Sequence, residues 1–303
     1  MHGRRDSRDS SFDVCVVGHV TRDITITGEK TTSVPGGTAY YTSLALKRFG
    51  LKVVVVTKTA REDKAFLLGP LEREGIETYC EHGRESLVFE NRYDDRDPDV
   101  RVQWIRSLGD PFPAQDVQEI SATVIHVGPL TSDDISLELL RQLSAKEATV
   151  SLDVQGLLRP ARVGLVMEED WLEKQEGLAC VDILRADEKE ALVLSGQQTV
   201  EGAAVALGAF GPKEVVITMG SRGSLIYAEE GFHWISAFHP RTLGDPTGCG
   251  DTYTAGYLYQ RLKGMPPKAA GRFAAGVATL KLEGNGPFRG TETDVKALLI
   301  SRA

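Results

Sequence analysis

A chain of 303 residues with 41% apolar and 26% charged residues can bury one large core and has the composition of an ordinary soluble globular protein. Its 35 lysines and arginines against 43 aspartates and glutamates leave a net charge of −8 without a dense basic cluster, which argues against nucleic acid or an anionic membrane as a partner. The four cysteines lie far apart and form no C-x-x-C pair, so neither a disulfide framework nor a zinc site is expected.

Residues 1–11 are polar and lack the apolar segment of a secretory signal, and we expect them to form a disordered tail. No apolar run in the chain approaches the length of a membrane span. These two observations lead us to expect a cytoplasmic protein.

Apolar runs of strand length then alternate with helical patterns along the chain. The strand-like runs are residues 13–18, 52–57, 123–128, 148–153, 181–184 and 214–219. The helical patterns are residues 38–49, 62–74, 133–144, 188–195, 200–210, 250–263, 267–283 and 292–301. Alternation of strand and helix predicts an α/β fold with a doubly wound, mostly parallel sheet flanked by helices.

Two segments interrupt this alternation. Residues 23–27 read D-I-T-I-T, and residues 86–107 hold two β-like runs around the polar turn at 94–99, which predicts a hairpin. Strands inserted beside an α/β core predict a small second sheet, formed by residues from about 19–35 and 86–107. An ordinary surface hairpin is the alternative.

A glycine-rich turn, D-P-T-G-C-G-D at residues 245–251, leads into the helical run at 250–263. Gly248 and Gly250 permit close approach of the backbone, and the N–H groups of a helix start can bind a phosphate. We expect Asp251 to be ionised in the first helical turn, where it could accept the proton of a substrate hydroxyl during phosphoryl transfer. The residues alone equally allow Asp251 merely to cap the helix and the glycines merely to turn the chain.

Cys249 lies between these two glycines, and its thiol has two interpretations. A helix start lowers cysteine pKa, which would make Cys249 the most reactive of the four cysteines. Alternatively, the thiol points into the protein and replaces a methyl group.

Further candidates follow strands at one edge of the predicted sheet: Asp23, Asp153, Asp187 and Gly220. Ligands of open α/β sheets bind outside the carboxyl ends of the strands, so the shared edge indicates a site. Other chemistries lack their motifs, because there is neither a G-x-x-x-x-G-K-[ST] nor a G-x-G-x-x-G sequence and the six histidines show no H-E-x-x-H spacing.

Two motifs resemble those of the ribokinase-like (PfkB) carbohydrate kinase family. D-P-T-G-C-G-D is similar to the family's carboxy-terminal signature, D-T-x-G-A-G-D, and P-G-G-T-A-Y-Y at 35–41 is similar to its amino-terminal double glycine. The likeness extends from about Phe12 onward, so 12–303 is expected to be one kinase domain with a β lid over the sugar. The resemblance implies an ATP-dependent, Mg²⁺-requiring kinase that phosphorylates a hydroxyl of a sugar or cyclic polyol. Asp251 would be the base, and the N–H groups of Gly248, Cys249 and Gly250 the anion hole.

The resemblance also implies residues for the acceptor. Asp23 stands in G-H-V-T-R-D, similar to the family's G-x-x-x-x-D, whose aspartate holds substrate hydroxyls, and Gly36 and Gly37 would let the chain pass close to the same substrate. Thr21 and Tyr41 replace asparagines of ribokinase-type enzymes, and the aromatic residues after the double glycine resemble the myo-inositol kinase branch. A cyclic polyol is therefore expected; a nucleoside stacked on a tyrosine is the alternative.

For the donor, D-E-K-E at 187–190 is similar to the family's N-x-x-E around magnesium and phosphates, which implies roles for Asp187 and for Glu190 as a metal-site acid. Thr218, Gly220 and Gly223 match the T-x-G-x-x-G nucleotide loop, and Asn285 lies near the expected adenine site. A non-catalytic sugar sensor on the same fold is the competing class of function. A homodimer through the lid is the expected association.

Overall fold

The computed structural model describes residues 12–28, 30–93, 101–229 and 231–301. The predicted tail at 1–11 and the predicted polar turn at 94–99 lie outside these residues. The strands, in chain order, are β1 (Phe12–Val17), β2 (Thr21–Thr27), β3 (Lys30–Gly36), β4 (Val53–Thr59), β5 (Glu77–His82), β6 (Val88–Tyr93), β7 (Arg101–Ser107), β8 (Ala122–Val127), β9 (Thr149–Asp153), β10 (Gly164–Leu165), β11 (Ile183–Asp187), β12 (Glu214–Thr218), β13 (Ser224–Ala228) and β14 (Gly231–Ile235).

The helices, in chain order, are α1 (Thr38–Arg48), α2 (Lys64–Arg73), α3 (Leu137–Ser144), α4 (Lys174–Leu178), α5 (Glu188–Ser195), α6 (Val200–Gly208), α7 (Cys249–Leu262), α8 (Pro267–Leu282) and α9 (Glu292–Ser301). The helix α4 was not predicted from the sequence, α3 begins at Leu137 where a start at residue 133 was predicted, and the other helices begin and end close to the predicted positions. In the described part of the chain, no helix is both long and apolar enough to cross a bilayer.

The large sheet has nine strands in the order β14-β13-β12-β11-β9-β8-β1-β4-β5. Neighbours from β12 to β5 run parallel, and only β13 and β14 add antiparallel pairs at one edge. This arrangement confirms the predicted doubly wound, mostly parallel sheet. The strands β5, β13 and β14 were not predicted from the sequence. The edge strands β5 and β14 are half exposed and lack the continuous apolar runs of buried parallel strands, whereas β13 lies between β14 and β12 and is mostly buried.

The hydrophobic core lies on both faces of the large sheet. In β1, Cys15 and Val17 pack into the cluster beneath α3 to α6, whereas Val14 and Val16 pack into the cluster beneath α1, α2 and α7 to α9. This division follows from the strand geometry, in which successive side chains point to opposite faces. Helices on both faces thus leave the carboxyl edge of the parallel strands open to ligands.

A second, five-stranded sheet has the order β10-β7-β6-β2-β3. The segments predicted to add strands beside the core supply most of it: β2 and β3 form an antiparallel hairpin, β6 pairs parallel to β2, and β7 pairs antiparallel to β6. The strand β10 was not predicted. The small sheet therefore begins directly after β1 and lies beside the carboxyl edge of the large one.

The close packing of α7 on α8 generates a stability prediction. An ideal Cβ on Gly256 would lie 2.8 Å from Cγ2 of Val277 and 3.0 Å from Cα of Ala274. We expect Gly256→Ala to lower the free energy of unfolding by about 1–2 kcal/mol, because overpacking outweighs the gain in helix propensity. In the control Gly284→Ala, at an exposed position, the new Cβ would meet only the carbonyl oxygen of Lys281 at 3.9 Å, an ordinary van der Waals distance. That substitution should be neutral or stabilising in denaturant titrations, and equal stability of the two variants would contradict the packing assignment.

Candidate active site

A polar pocket of about 470 Å³ opens between the two sheets and the glycine loop, defined here as residues 245–251. Many of the residues predicted from sequence line this polar pocket: Thr21, Asp23, Gly37, Tyr41, Gly248, Cys249, Gly250 and Asp251. The fold thus brings together the start of β2, the start of α1 and the start of α7, which lie far apart in the sequence.

The two glycines of the glycine loop each lie against a different neighbouring side chain. Gly248 precedes α7 with φ 77°, and an ideal Cβ on it would lie 2.4 Å from ring carbons of Tyr41. An ideal Cβ on Gly250 would lie 2.5 Å from a terminal nitrogen of Arg185. Both positions therefore exclude larger side chains, and the loop backbone lies against a ring and a guanidinium.

The predicted anion hole is only partly available. The N–H of Cys249 donates to the carbonyl of Pro246 at 3.1 Å, so this predicted donor is engaged within the loop itself. Among the described residues, the N–H groups of Gly248 and Gly250 have no protein acceptor. These two groups, at the start of a helix, form the anion-binding part of the loop.

Asp23 is held at the polar pocket by its neighbours. The Thr21 hydroxyl donates to Oδ1 of Asp23 at 2.7 Å. An ideal Cβ on Gly36 would lie 2.1 Å from Oδ2 of Asp23, so Gly36 makes room for this carboxylate and does not itself line the pocket. Gly37, with φ 87°, does line it at the start of α1. The absence of side chains in the double glycine thus lets the Asp23 carboxylate lie close to the start of α1.

Asp251 has an environment that suits a base. Burial raises the pKa of the Asp251 carboxyl to about 6, and the nearby Asp153 carboxylate adds to this rise. Arg185, a hydrogen bond from Thr38 and the charge of Arg159 act in the opposite direction. At neutral pH the carboxylate is therefore mostly ionised, yet basic enough to take a proton.

Arg185, the central cation of the site, was not predicted from the sequence. Its guanidinium donates to Oδ2 of Asp153 at 3.0 Å and to the Thr218 hydroxyl at 2.9 Å. Burial by itself lowers the pKa of Arg185, but the surrounding carboxylates raise it, so the net shift is upward and the charge is permanent. A guanidinium within the apolar run I-L-R-A is the signal that could have revealed it, because arginine is almost never fully buried unless paired.

Asp153, predicted as an acceptor-binding residue, contacts Arg185 and not the polar pocket. It ends β9 at the expected sheet edge, but it is 1% exposed and does not line the polar pocket. Its Oδ1 accepts from the N–H of Gln155 at 3.1 Å, and Oδ2 accepts from Arg185. The geometry therefore assigns Asp153 to orienting Arg185, because a ligand in the pocket would meet the guanidinium first.

An apolar pocket of about 420 Å³ lies on the other side of the glycine loop. The predicted Thr218, Gly220 and Gly223 line it together with Asp187. Its walls are mainly apolar: Ala237, Phe238, Pro240, Leu243, Ala278 and Leu282. Arg185, Pro246, Cys249 and Gly250 line both pockets, so the two cavities meet at the loop.

Asn285 was predicted to lie near the adenine site; it does not line the apolar pocket, and a contact with adenine stays a prediction. The residue lies beyond the end of α8 and is exposed. Side chains from the last turns of α8, among them Thr279 and Leu282, line the apolar pocket.

Asp187 and Glu190 form a capping box at the start of α5. Oδ1 of Asp187 accepts from the N–H of Glu190 at 2.8 Å, and Oε2 of Glu190 accepts from the N–H of Asp187 at 2.7 Å. Burial raises the pKa of Glu190 to about 7, against the lowering effect of Arg185. Each side chain keeps one carboxylate oxygen outside the capping box, and Asp187 lines the apolar pocket.

The free oxygen of Asp187 borders the apolar pocket and could help to hold Mg²⁺, which proteins commonly bind through one or two carboxylates together with substrate phosphates and water. Glu190 is 2% exposed and lines neither pocket, so here it supports Asp187 through the capping box, and its role as a metal-site acid stays a prediction. Within the described ranges, no group of three or more histidine, cysteine or acidic residues is placed to hold a metal ion.

The small sheet supplies part of the polar pocket. Asp23 on β2, Phe89 on β6 and Gln103 on β7 line it. The side chains of this sheet thus form the wall that faces the large sheet and the glycine loop.

Comparison with known proteins supports this description. A family model described as pfkB family carbohydrate kinase matches residues 11–294. A sulfate complex of a pyrophosphate-dependent kinase in the ribokinase family is 29% identical in sequence, with a TM-score of 0.85 over 94% of this chain and 99% of that chain. A pyrophosphate-dependent kinase of the ribokinase family with a pyrophosphate analog and myo-inositol is 27% identical, with a TM-score of 0.84 over the same shares. Cytidine kinase of Thermococcus kodakarensis is 28% identical over 269 residues, which cover 84% of this chain and 90% of the relative.

The environment of Cys249 favours the second interpretation of its thiol and yields a prediction. Burial raises the pKa of Cys249 to about 11, and its Sγ lies 3.9 Å from the carbonyl oxygen of Ala278. We therefore expect limited alkylation near pH 7.5 to label Cys80 and Cys180 before Cys249, because the thiolate is the reactive form. Peptide mapping after brief treatment measures the order. First labelling at Cys249 would restore the thiolate interpretation.

Proposed function

The chain belongs to the pfkB family of carbohydrate kinases, and we propose that it transfers the γ-phosphoryl group of ATP to a hydroxyl of a cyclic polyol of the inositol class. The observation that carries this proposal is the meeting of the polar and apolar pockets at the glycine loop, where Arg185 and Gly250 line both. A phosphoryl group held there would face a ligand in each pocket. Enzymes of this family are phosphotransferases with a hydroxyl acceptor, and this chain is one of them.

The polar pocket supports a polyol as the acceptor. Asp23 and Thr21 present oxygen atoms to it, and Gln103, Gln155 and Arg159 add further polar groups. An ionised carboxylate accepts hydrogen bonds from two hydroxyls, which suits adjacent hydroxyls on a ring. The similar structure with bound myo-inositol supports the same class of acceptor.

A nucleoside is the second candidate, favoured by the likeness to cytidine kinase along 84% of the chain. The aromatic residues offer it little support. Tyr41 lines the polar pocket but is only 3% exposed and lies against Gly248, and Tyr40 does not line the pocket, so a base would find little open ring surface on which to stack. For this reason we propose a polyol as the acceptor ahead of a nucleoside.

The apolar pocket supports ATP as the donor. Its walls of aliphatic side chains with Phe238 suit a planar purine, while the glycine loop faces the position of the phosphates. Pyrophosphate, the donor of the similar structures, has no apolar part that would need such walls. Pyrophosphate is therefore the competing donor in the experiment below.

In the proposed reaction, the Asp251 carboxylate accepts the proton of the acceptor hydroxyl while the phosphoryl group passes between the pockets. The free N–H groups of Gly248 and Gly250 and the guanidinium of Arg185 stabilise the negative charge of the transferring group. Mg²⁺ held near Asp187 and Glu190 would neutralise donor phosphates when bound.

The small sheet supports a lid over the acceptor, because Phe89 and Gln103 form the pocket wall opposite the glycine loop. A lid excludes water that would otherwise hydrolyse the donor. A homodimer through the lid stays a prediction; the largely exposed outer strand β3 is the edge that would serve it.

A panel of acceptors tests the function. We expect the protein with Mg²⁺ and ATP to phosphorylate inositols faster than ribose, fructose or nucleosides, measured by product formation and by kcat/KM for each acceptor. Parallel reactions with pyrophosphate decide the donor. Preference for nucleosides would establish the second candidate, and the absence of turnover with every acceptor and both donors would favour a sensor.

Replacement of the base gives a sharper test. We expect Asp251→Asn to lower kcat by about 10²–10⁴, the scale for loss of a general base. Because the pKa of Asp251 is about 6 and the ionised form is active, kcat/KM of the native enzyme should fall below about pH 6, and the variant should lose this acid limb. The control Asp133→Asn replaces an exposed aspartate and should retain full activity. An Asp251→Asn variant within a few-fold of native turnover would contradict the assignment.

A further inference from the structure

Lys281, in the last turn of α8, is a lysine buried without an acidic partner. Its side chain is 2% exposed, and Nζ donates to the backbone carbonyl of Asp245 at 2.5 Å. Its ammonium forms no ion pair in the described part of the chain. Lysine is almost never fully buried unless it is paired, because removing an ammonium from water is costly.

The ammonium lies directly behind the glycine loop. Asp245 is the first residue of the loop, and Nζ also lies 5.9 Å from the centre of the Tyr41 ring, which lines the polar pocket. The charge of Lys281 acts on Cys249, whose pKa it lowers against the stronger effect of burial. The Lys281 ammonium therefore lies close to the glycine loop, to Tyr41 in the wall of the polar pocket and to the start of α7, although Lys281 itself lines neither pocket.

Hydrogen bonds to the end of α8 also fix the residues that precede the glycine loop. The N–H of Gly244 donates to the carbonyl of Leu282 at 2.8 Å, and the N–H of Arg241 donates to the Glu283 carboxylate at 2.7 Å. Next in the chain, Lys281 holds the Asp245 carbonyl, and Oδ1 of Asp245 accepts from the N–H of Thr247 at 2.9 Å. The direction of the Asp245 peptide therefore sets where Gly248 and Gly250 present their N–H groups.

We propose that Lys281 is a positioning residue whose buried ammonium holds the glycine loop in its anion-binding form and supplies the positive charge behind it. The missing counter-ion is then the phosphate group of the donor, which approaches from the opposite side of the loop. This inference extends the proposed function, because it concerns the same anion site, but anion binding can be measured without turnover.

The experiment compares Lys281→Met with the control Lys268→Met, an exposed lysine of the same helix. Inorganic pyrophosphate serves as the probe anion in calorimetry without acceptor. We expect Lys281→Met to melt at the native temperature or higher, because an apolar side chain replaces a buried charge, and to bind pyrophosphate about 10- to 100-fold more weakly. kcat should fall in parallel, and Lys268→Met should match the native protein in both.

A second variant separates charge from packing and also serves if Lys281→Met fails to fold. In Lys281→Ala, n-propylamine should restore part of the pyrophosphate affinity, whereas 1-propanol, of similar shape but neutral, should not. Native affinity in Lys281→Met, or equal recovery with the alcohol, would overturn the proposal. Lost affinity in a protein whose native form phosphorylates no acceptor would leave this inference standing and refute the proposed function.

Discussion

The buried guanidinium of Arg185 is the interaction on which the rest of the site depends. It joins β9 to β12 by donating to Asp153 and to Thr218, and it lies against Gly250 at the start of α7. Removal of this cation would leave the Asp153 carboxylate buried without its partner, a situation that commonly costs about 3–5 kcal/mol. The same group therefore stabilises the carboxyl edge of the sheet and faces both pockets.

This constraint also explains how acidic groups can crowd around an anion site. Carboxylates of Asp153, Glu190 and Asp251 surround Arg185 and would repel a phosphate if their charges were uncompensated. Burial raises the pKa of Asp251 to about 6 and that of Glu190 to about 7, while Arg185 opposes both shifts. The result is two carboxyl groups whose pKa values lie near neutrality beside a permanent positive charge, and of the two only Asp251 lines the polar pocket, where it can act as a base. Lys281 would add a second positive charge on the far side of the loop.

Local patterns predicted much of the fold and several members of the site. The bounds of α5 and α9 match the sequence prediction, and for α5 the reason is local, since Asp187 and Glu190 cap its start within one turn. The family-like motifs also identified Asp23 and Asp251, which line one pocket. Motif spacing could not show that side chains of α8, and not Asn285, line the apolar pocket, so the role of Asn285 stays a prediction.

The sequence by itself determined the alternation of strands and helices, because the period of apolar residues is a property of neighbouring positions. It also determined where backbone could approach closely, since Gly248 and Gly250 permit contacts that no other residue allows. Only the tertiary structure decided which charged and polar groups meet. The ion pair of Arg185 and Asp153 joins residues 32 positions apart, and the contact of the Lys281 ammonium with the Asp245 backbone carbonyl joins residues 36 positions apart. Each contact forms only when separate elements pack together. Burial and charge pairing set the pKa values and the roles of these groups, and both depend on the folded environment and not on the local sequence.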